Sequence, residues 1–275
     1  MKFEMGRAWN DAVALLRGNR QVVLVVAGVF FFLPYLALIL FMPDYMASMG
    51  PAAAGEPADP SQALEQFTRV YADIWWAILI IMVIQGIGML GLLALLTDRG
   101  RPTVGEALGI GAKSFLPYLG AQILQSIVIV LIIMIPFAVG AAAGAAVGVI
   151  LGLLAVVAVA YLFTKFSLSI PVIVIEKVMN PVTALGRSWS LTKGNSVRLF
   201  AFYVLLFIAL IVIALVLGIV FGIVGALTGP EGALIVTGLS NAVLNMVAVT
   251  VFLAVLAGVH RQLSGSAATV GETFE

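Results

Sequence analysis

The sequence has no cysteine and a single histidine, His260, among its 275 residues. Disulfides and thiol chemistry are thereby excluded, and one chain cannot assemble a His-rich metal site. Charge is scarce too: 14 Lys and Arg against 13 Asp and Glu leave a formal net charge of +1. So weak a balance offers nucleic acid no electrostatic footprint, and no such partner is expected. Charged residues make up 10% of the chain and hydrophobic residues 63%. Soluble domains run nearer about 45–50% apolar and about 25% charged. What the chain has instead is long apolar runs, and it reads as an integral membrane protein.

A membrane-crossing helix needs about 20 apolar residues. Gln21 to Met42 is one such run and Ile74 to Thr97 a second. From Ser114 to Thr164 there is no charge at all. Two spans with a tight reversal near Pro136-Phe137-Ala138-Val139-Gly140 fit that length better than one. Leu199 to Leu227 is the fifth span and Ala233 to Val259 the sixth, joined by Thr228-Gly229-Pro230-Glu231-Gly232. The first run outlasts a signal h-region of about 7–15 residues. Ala52-Ala53-Ala54, which looks like a cleavage site, lies beyond Pro43 and Asp44. The run therefore reads as an uncleaved anchor.

With six spans both termini share a side. Every Lys and Arg except Arg69 then falls on that side, while Asp44, Glu56, Asp59, Glu65, Asp73 and Glu231 fall on the other. Basic residues stay on the cytoplasmic side, so both termini are expected there. The expected fold is all-α, with six transmembrane helices and three cytoplasmic interfacial amphipathic helices. The latter come from a threefold pattern: Ala8-Trp9, Ala107-Leu108 and Ala184-Leu185 align, as do the breakers Gly18-Asn19, Pro117-Tyr118 and Gly194-Asn195. In the first stretch Met5, Trp9, Val13 and Leu16 share a helical face, and in the third Val182, Leu185 and Trp189 do. Such segments lie in the interface plane. One membrane domain over 1–275 is expected, with repeats 1–98, 99–164 and 165–263 and a flexible cytoplasmic tail at 264–275. An extracytoplasmic loop at 43–73 pairs a Pro- and Gly-rich linker with a short helix capped by Ser61.

Two glycine patterns concern packing. Gly86, Gly88 and Gly91 spell a dinucleotide-binding string, but inside an apolar span they lack the strand such a motif follows. Gly140, Gly144, Gly148 and Gly152 recur every four residues, and Gly218 and Gly222 repeat the spacing. In lipid such a stripe lets another helix approach closely, from this chain, a second copy or another membrane protein. Gln85, Gln122, Gln125, Asn241 and Asn245 are the polar residues within spans, suited to interhelical hydrogen bonds or to a polar cavity. No ionisable group sits in mid-span, which argues against a proton-coupled pump.

Between spans four and five runs Pro171-Val172-Ile173-Val174-Ile175-Glu176, followed by Pro181, Ala184-Leu185, Arg187-Ser188-Trp189, Leu191-Thr192 and Gly194-Asn195. This stretch resembles the membrane domain of the glycerophosphoryl diester phosphodiesterase family and the YciC-like bacterial inner-membrane proteins. The resemblance implies a multi-pass module of the bacterial inner membrane, fused in some relatives to a phosphodiesterase barrel. The sequence has no room for that barrel and lacks the His and carboxylate set that hydrolysis requires. No enzymatic activity, metal or cofactor is expected. Arg187, Trp189, Lys193, Arg198 and Arg17 suit an anionic lipid headgroup: guanidinium fork, interfacial anchor and point charges. Glu176 pairing with Arg187 is an alternative that spacing leaves open. The expected role is non-catalytic handling of phospholipid or a related amphiphile, with membrane lipids as partners. The rivals are a scaffold for another membrane protein and a facilitator for a small polar solute.

Overall fold

A computed structural model describes residues 2–42, 60–98, 100 and 102–271, and every regular element among them is helical. In chain order these are α1 (Met5–Gly18), α2 (Arg20–Ala27), a π-helical turn (Gly28–Phe32), α3 (Leu33–Phe41), α4 (Pro60–Thr97), α5 (Val104–Ala143), α6 (Ala145–Phe166), α7 (Ser169–Ile175), α8 (Pro181–Leu191), α9 (Ser196–Leu227) and α10 (Gly229–Gly271). Six stretches are long and apolar enough to cross a membrane: Arg20–Leu38, Ile74–Thr97, Val104–Ala143, Ala145–Ile175, Ser196–Leu227 and Ile235–Gly265. The all-α, six-span expectation holds. The linker at 43–59 lies outside the described residues. α4 is described from Pro60, whose missing N–H is no loss at a helix start, so the backbone of Ser61 is already helical. At the other end, residues 264–271 continue α10 rather than leaving it.

The chain divides into two compact units. The first comprises Met1–Arg20, Leu90–Ala209 and Val251–Glu275. Its core is apolar side chains from many elements: Ala8, Leu92, Leu93, Ile173, Leu199 and Leu256 are all fully buried. Here α1 is fixed by main-chain contacts. The Phe3 N–H donates to Asn195 Oδ1 at 2.9 Å, and a methyl group on Gly258 would come within 2.6 Å of the Ala8 carbonyl. The face of α1 that packs is therefore the small one, Ala8 and Ala12, while Trp9 stays 44% exposed. A capping box joins Thr103 and Glu106 at the start of α5. Asn180 caps α8 through the Val182 and Thr183 N–H groups, with Pro181 in the first turn.

Two expectations about chain reversal are corrected. The α5–α6 hairpin does not turn at Pro136–Gly140; helix continues to Ala143 and the reversal is the single residue Gly144, at φ +101°. A proline removes one helical N–H, which a membrane helix tolerates, whereas this backbone angle excludes nearly every residue but glycine. Likewise Pro117 breaks nothing: α5 runs through it, so the second of the three short stretches is not a helix of its own. Across the hairpin Gly140 and Gly148 meet backbone to backbone, each within 2.9 Å of where the other's methyl group would begin.

The second unit comprises Gln21–Met89 and Leu210–Thr250. Its π-helical turn follows from Pro34. With no N–H there, the Phe30 carbonyl loses its partner and the backbone widens, so the Leu33 N–H reaches five residues back to Gly28. Asn245 Nδ2 donates to the Phe31 carbonyl at 3.2 Å, tying α10 to that turn. Gly88 gives way to Phe30, whose side chain occupies the space a methyl group would need.

Gly258→Ala should therefore lower stability by about 1–3 kcal/mol, because backbone must shift to admit one carbon. Gly222→Ala, with no atom within 4 Å of the new methyl group, should leave it unchanged or raise it. Thermal unfolding of both variants in detergent micelles checks the contrast.

Candidate functional site

The segment joining the fourth and fifth spans folds back on itself through side-chain hydroxyls. The Ser188 hydroxyl on α8 donates to the Lys165 carbonyl at 2.7 Å and accepts from the Leu168 N–H at 3.2 Å. Ser188 is fully buried, so α8 is pinned against the end of α6. Tyr203 on α9 closes the same corner by donating to the Ser167 hydroxyl at 3.0 Å. After α7 the chain reverses at Glu176-Lys177, with Lys177 at φ +56°, a conformation costly for a residue bearing a Cβ.

That reversal presents the Glu176 carboxylate to the Arg187 guanidinium and to the His260 imidazole. Arg187 reaches it through Nε at 2.8 Å and Nη2 at 3.4 Å. His260 on α10 reaches the other side through Nε2 at 3.0 Å. A carboxylate only accepts, so the proton sits on His260 Nε2. Burial pushes the Glu176 carboxyl up, but the hydrogen bonds and charges of Arg187 and His260 outweigh it and hold the group below the usual carboxylate range. His260 is only 4% exposed. The fork of Arg187 that suited a lipid headgroup is committed largely to Glu176.

The other headgroup candidates differ. Lys193, Arg198 and Arg17 are exposed. Trp189 packs its ring on Tyr161, edge-on at 5.7 Å between centroids, and on Phe166 at 5.7 Å. Between Tyr161 and Trp189 lies a residue that sequence reading passed over, Lys165. Its Nζ sits 5.5 Å from the Tyr161 ring centroid and 5.1 Å from that of Trp189. The legible signal was the i, i+4 pair Tyr161–Lys165; Trp189 arrives only through the fold of α8. Of the intramembrane polar residues, Gln85, Gln122, Gln125 and Asn241 are half-buried, and Asn245 holds Phe31 as described. Gly144 is the hairpin turn, Gly140 and Gly148 its contact, and Gly152, Gly218 and Gly222 have no atom within 4 Å of an added methyl group.

A cavity of about 630 Å³ opens among α5, α6 and α9. Ile133, Phe137, Ala155, Phe163, Phe200 and Phe207 are among its walls, and every lining residue is apolar. Along α6 it extends from Gly152 to Phe163, about 16 Å at the helical rise. Phe163 lies two residues before Lys165, and Phe200 two residues after Arg198.

Glu176→Gln should remove about 1.5–3 kcal/mol of stability, the worth of a hydrogen bond to a charged group. Because the carboxyl is held low in the folded protein, its contribution is fully present above the ordinary value near about 4.3 and is lost as pH falls through the folded value. As pH falls below about 4.3, the melting temperature in lipid nanodiscs should drop more steeply for the wild type than for Glu176→Gln. Parallel pH curves would show that the bonds carry no such stability.

No curated protein and no solved structure matches the chain. A family match covers the last part of α5, all of α6 to α9 and most of α10, and with them Glu176, Arg187 and His260. Residues 133–264 match the family model for the membrane domain of glycerophosphoryl diester phosphodiesterase, the family that the motif around Arg187 resembles.

Proposed function

We propose that the protein is a non-catalytic, multi-pass protein of the bacterial inner membrane that binds and handles phospholipid or a related amphiphile. The single observation that carries this reading is the wholly apolar cavity among α5, α6 and α9. Its length of about 16 Å is about half the thickness of a hydrocarbon core near 30 Å, the depth of one leaflet. Its Phe163 and Phe200 end borders, in sequence, the basic positions Lys165 and Arg198. An acyl chain in the groove brings its headgroup to that end. The positive-inside bias supports the cytoplasmic leaflet for that end, and the cytoplasmic side for both termini. Arg187, tied to Glu176, contributes through position; Lys193, Arg198 and Trp189 are the direct contacts. The solute-facilitator reading is weaker, since Asn245 already serves an interhelical hydrogen bond.

Filling the groove is the test. Ala160→Trp, inside it, should lower co-purifying phospholipid at least about tenfold, equivalent to roughly 1.4 kcal/mol. Leu153→Trp, on the same helix but outside the lining and 66% exposed, should leave it unchanged. Native mass spectrometry of the gently extracted protein reads both. Equal lipid occupancy in wild type and Ala160→Trp would overturn the proposal.

A further inference from the structure

Lys165 is the most unusual charge in the protein. It is 97% buried, by its 3% exposure, yet among the described residues no carboxylate lies within ion-pair distance of it. Charged side chains are rarely that buried without a carboxylate partner, and the ammonium group at the tip keeps some access to solvent. Its surroundings are two aromatic faces, Tyr161 and Trp189, and a second cation: Lys193 is near enough to act on it electrostatically. Aromatic faces attract a cation but leave its hydrogens without oxygen acceptors. Two like charges drawn together with no anion between them repel, and an anion converts that repulsion into attraction on both sides.

The backbone around Lys165 is fixed rather than adaptable. Its own carbonyl accepts from buried Ser188, and Trp189 is the next residue along α8. The ammonium and one wall of its clamp therefore belong to a single pinned corner, and Lys193 follows just after α8 ends at Leu191. Such a site is built before any ligand arrives, which lowers the cost of binding.

We propose that Lys165, with Lys193, forms a phosphate-binding site walled by Tyr161 and Trp189. A phosphate has enough terminal oxygens to accept from two ammonium groups at once, and lysine is a common point-charge ligand for it. A carboxylate has the lower charge and only two oxygens to share. This deepens the lipid reading and rests on it where the phosphate belongs to a headgroup: Lys165 lies about 3 Å along the axis of α6 beyond Phe163, the last groove residue of that helix, and on its other side. The same chemistry serves a free phosphate ion.

Binding is measured by native mass spectrometry in detergent with four probes: dioleoyl phosphatidic acid, dioleoylglycerol, oleate and inorganic phosphate. The wild type should bind phosphatidic acid at least about tenfold more tightly than dioleoylglycerol, a gap of roughly 1.4 kcal/mol. Lys165→Met should erase that preference without changing dioleoylglycerol binding, and Lys165→Arg should keep most of it. A preference that survives in Lys165→Met, or oleate binding equal to phosphatidic acid, overturns the site. If Lys165→Met fails to fold, exposed Lys193→Met decides, with a several-fold loss of preference expected and no loss overturning the proposal. Inorganic phosphate that displaces phosphatidic acid assigns the site to the free ion; failure to displace assigns it to the lipid, and either supports the phosphate chemistry. A wild type that binds phosphatidic acid but no dioleoylglycerol would sink the acyl groove while leaving the phosphate site standing.

Discussion

One carboxylate organises the first of the two units. Glu176 sits at a backbone reversal, draws Arg187 from α8 on one side and His260 from α10 on the other, and so joins three parts of the chain through a single charge. Removing a partner would leave a charge with reduced water and no counter-charge, which is why such clusters are far more sensitive to mutation than their net contribution suggests. The reversal itself is unfavourable for Lys177, and the ion pair holds it in place. With Glu176 fixed, α8 lies where Ser188 can pin it to α6, and only then can Trp189 face Lys165.

The groove and the clamp use the same helices in different ways. α6 offers an apolar wall from Gly152 to Phe163 and, two residues on, a buried cation. A chain that treated the bilayer only as solvent would have no reason to bury a lysine beyond its last apolar turn. Burial of this kind shapes a binding surface at some expense in stability, and here the surrounding hydroxyl network supplies the rigidity that it requires.

The six spans were legible because bilayer thickness and charge exclusion act on composition alone. The hairpin turn was not: Pro136 resembles a breaker, yet lipid tolerates it, and the real turn rests on the backbone angle of Gly144. The glycine stripe divides by backbone geometry: Gly140 and Gly148 face each other, Gly144 lies between them as the turn, and Gly152, Gly218 and Gly222 have no atom within 4 Å of an added methyl group. Glu176 and Arg187 could be named as a pair, but the choice between a pair and a headgroup contact depends on where the chain reverses. His260 and Lys165 were beyond reach, because the first depends on the rotation of α10 and the second on Trp189 coming back across a turn.

The one-residue turn at Gly144 also constrains how the protein is made. From Ser114 to Thr164 there is no charge, and the helices on either side of Gly144 touch backbone to backbone. Nothing in this stretch has to carry a charge across the bilayer, and no loop is long enough to let one helix enter ahead of its neighbour. A turn this short and this free of charge favours entry of the two helices into the membrane as a single hairpin, with one wall of the groove already formed along α6.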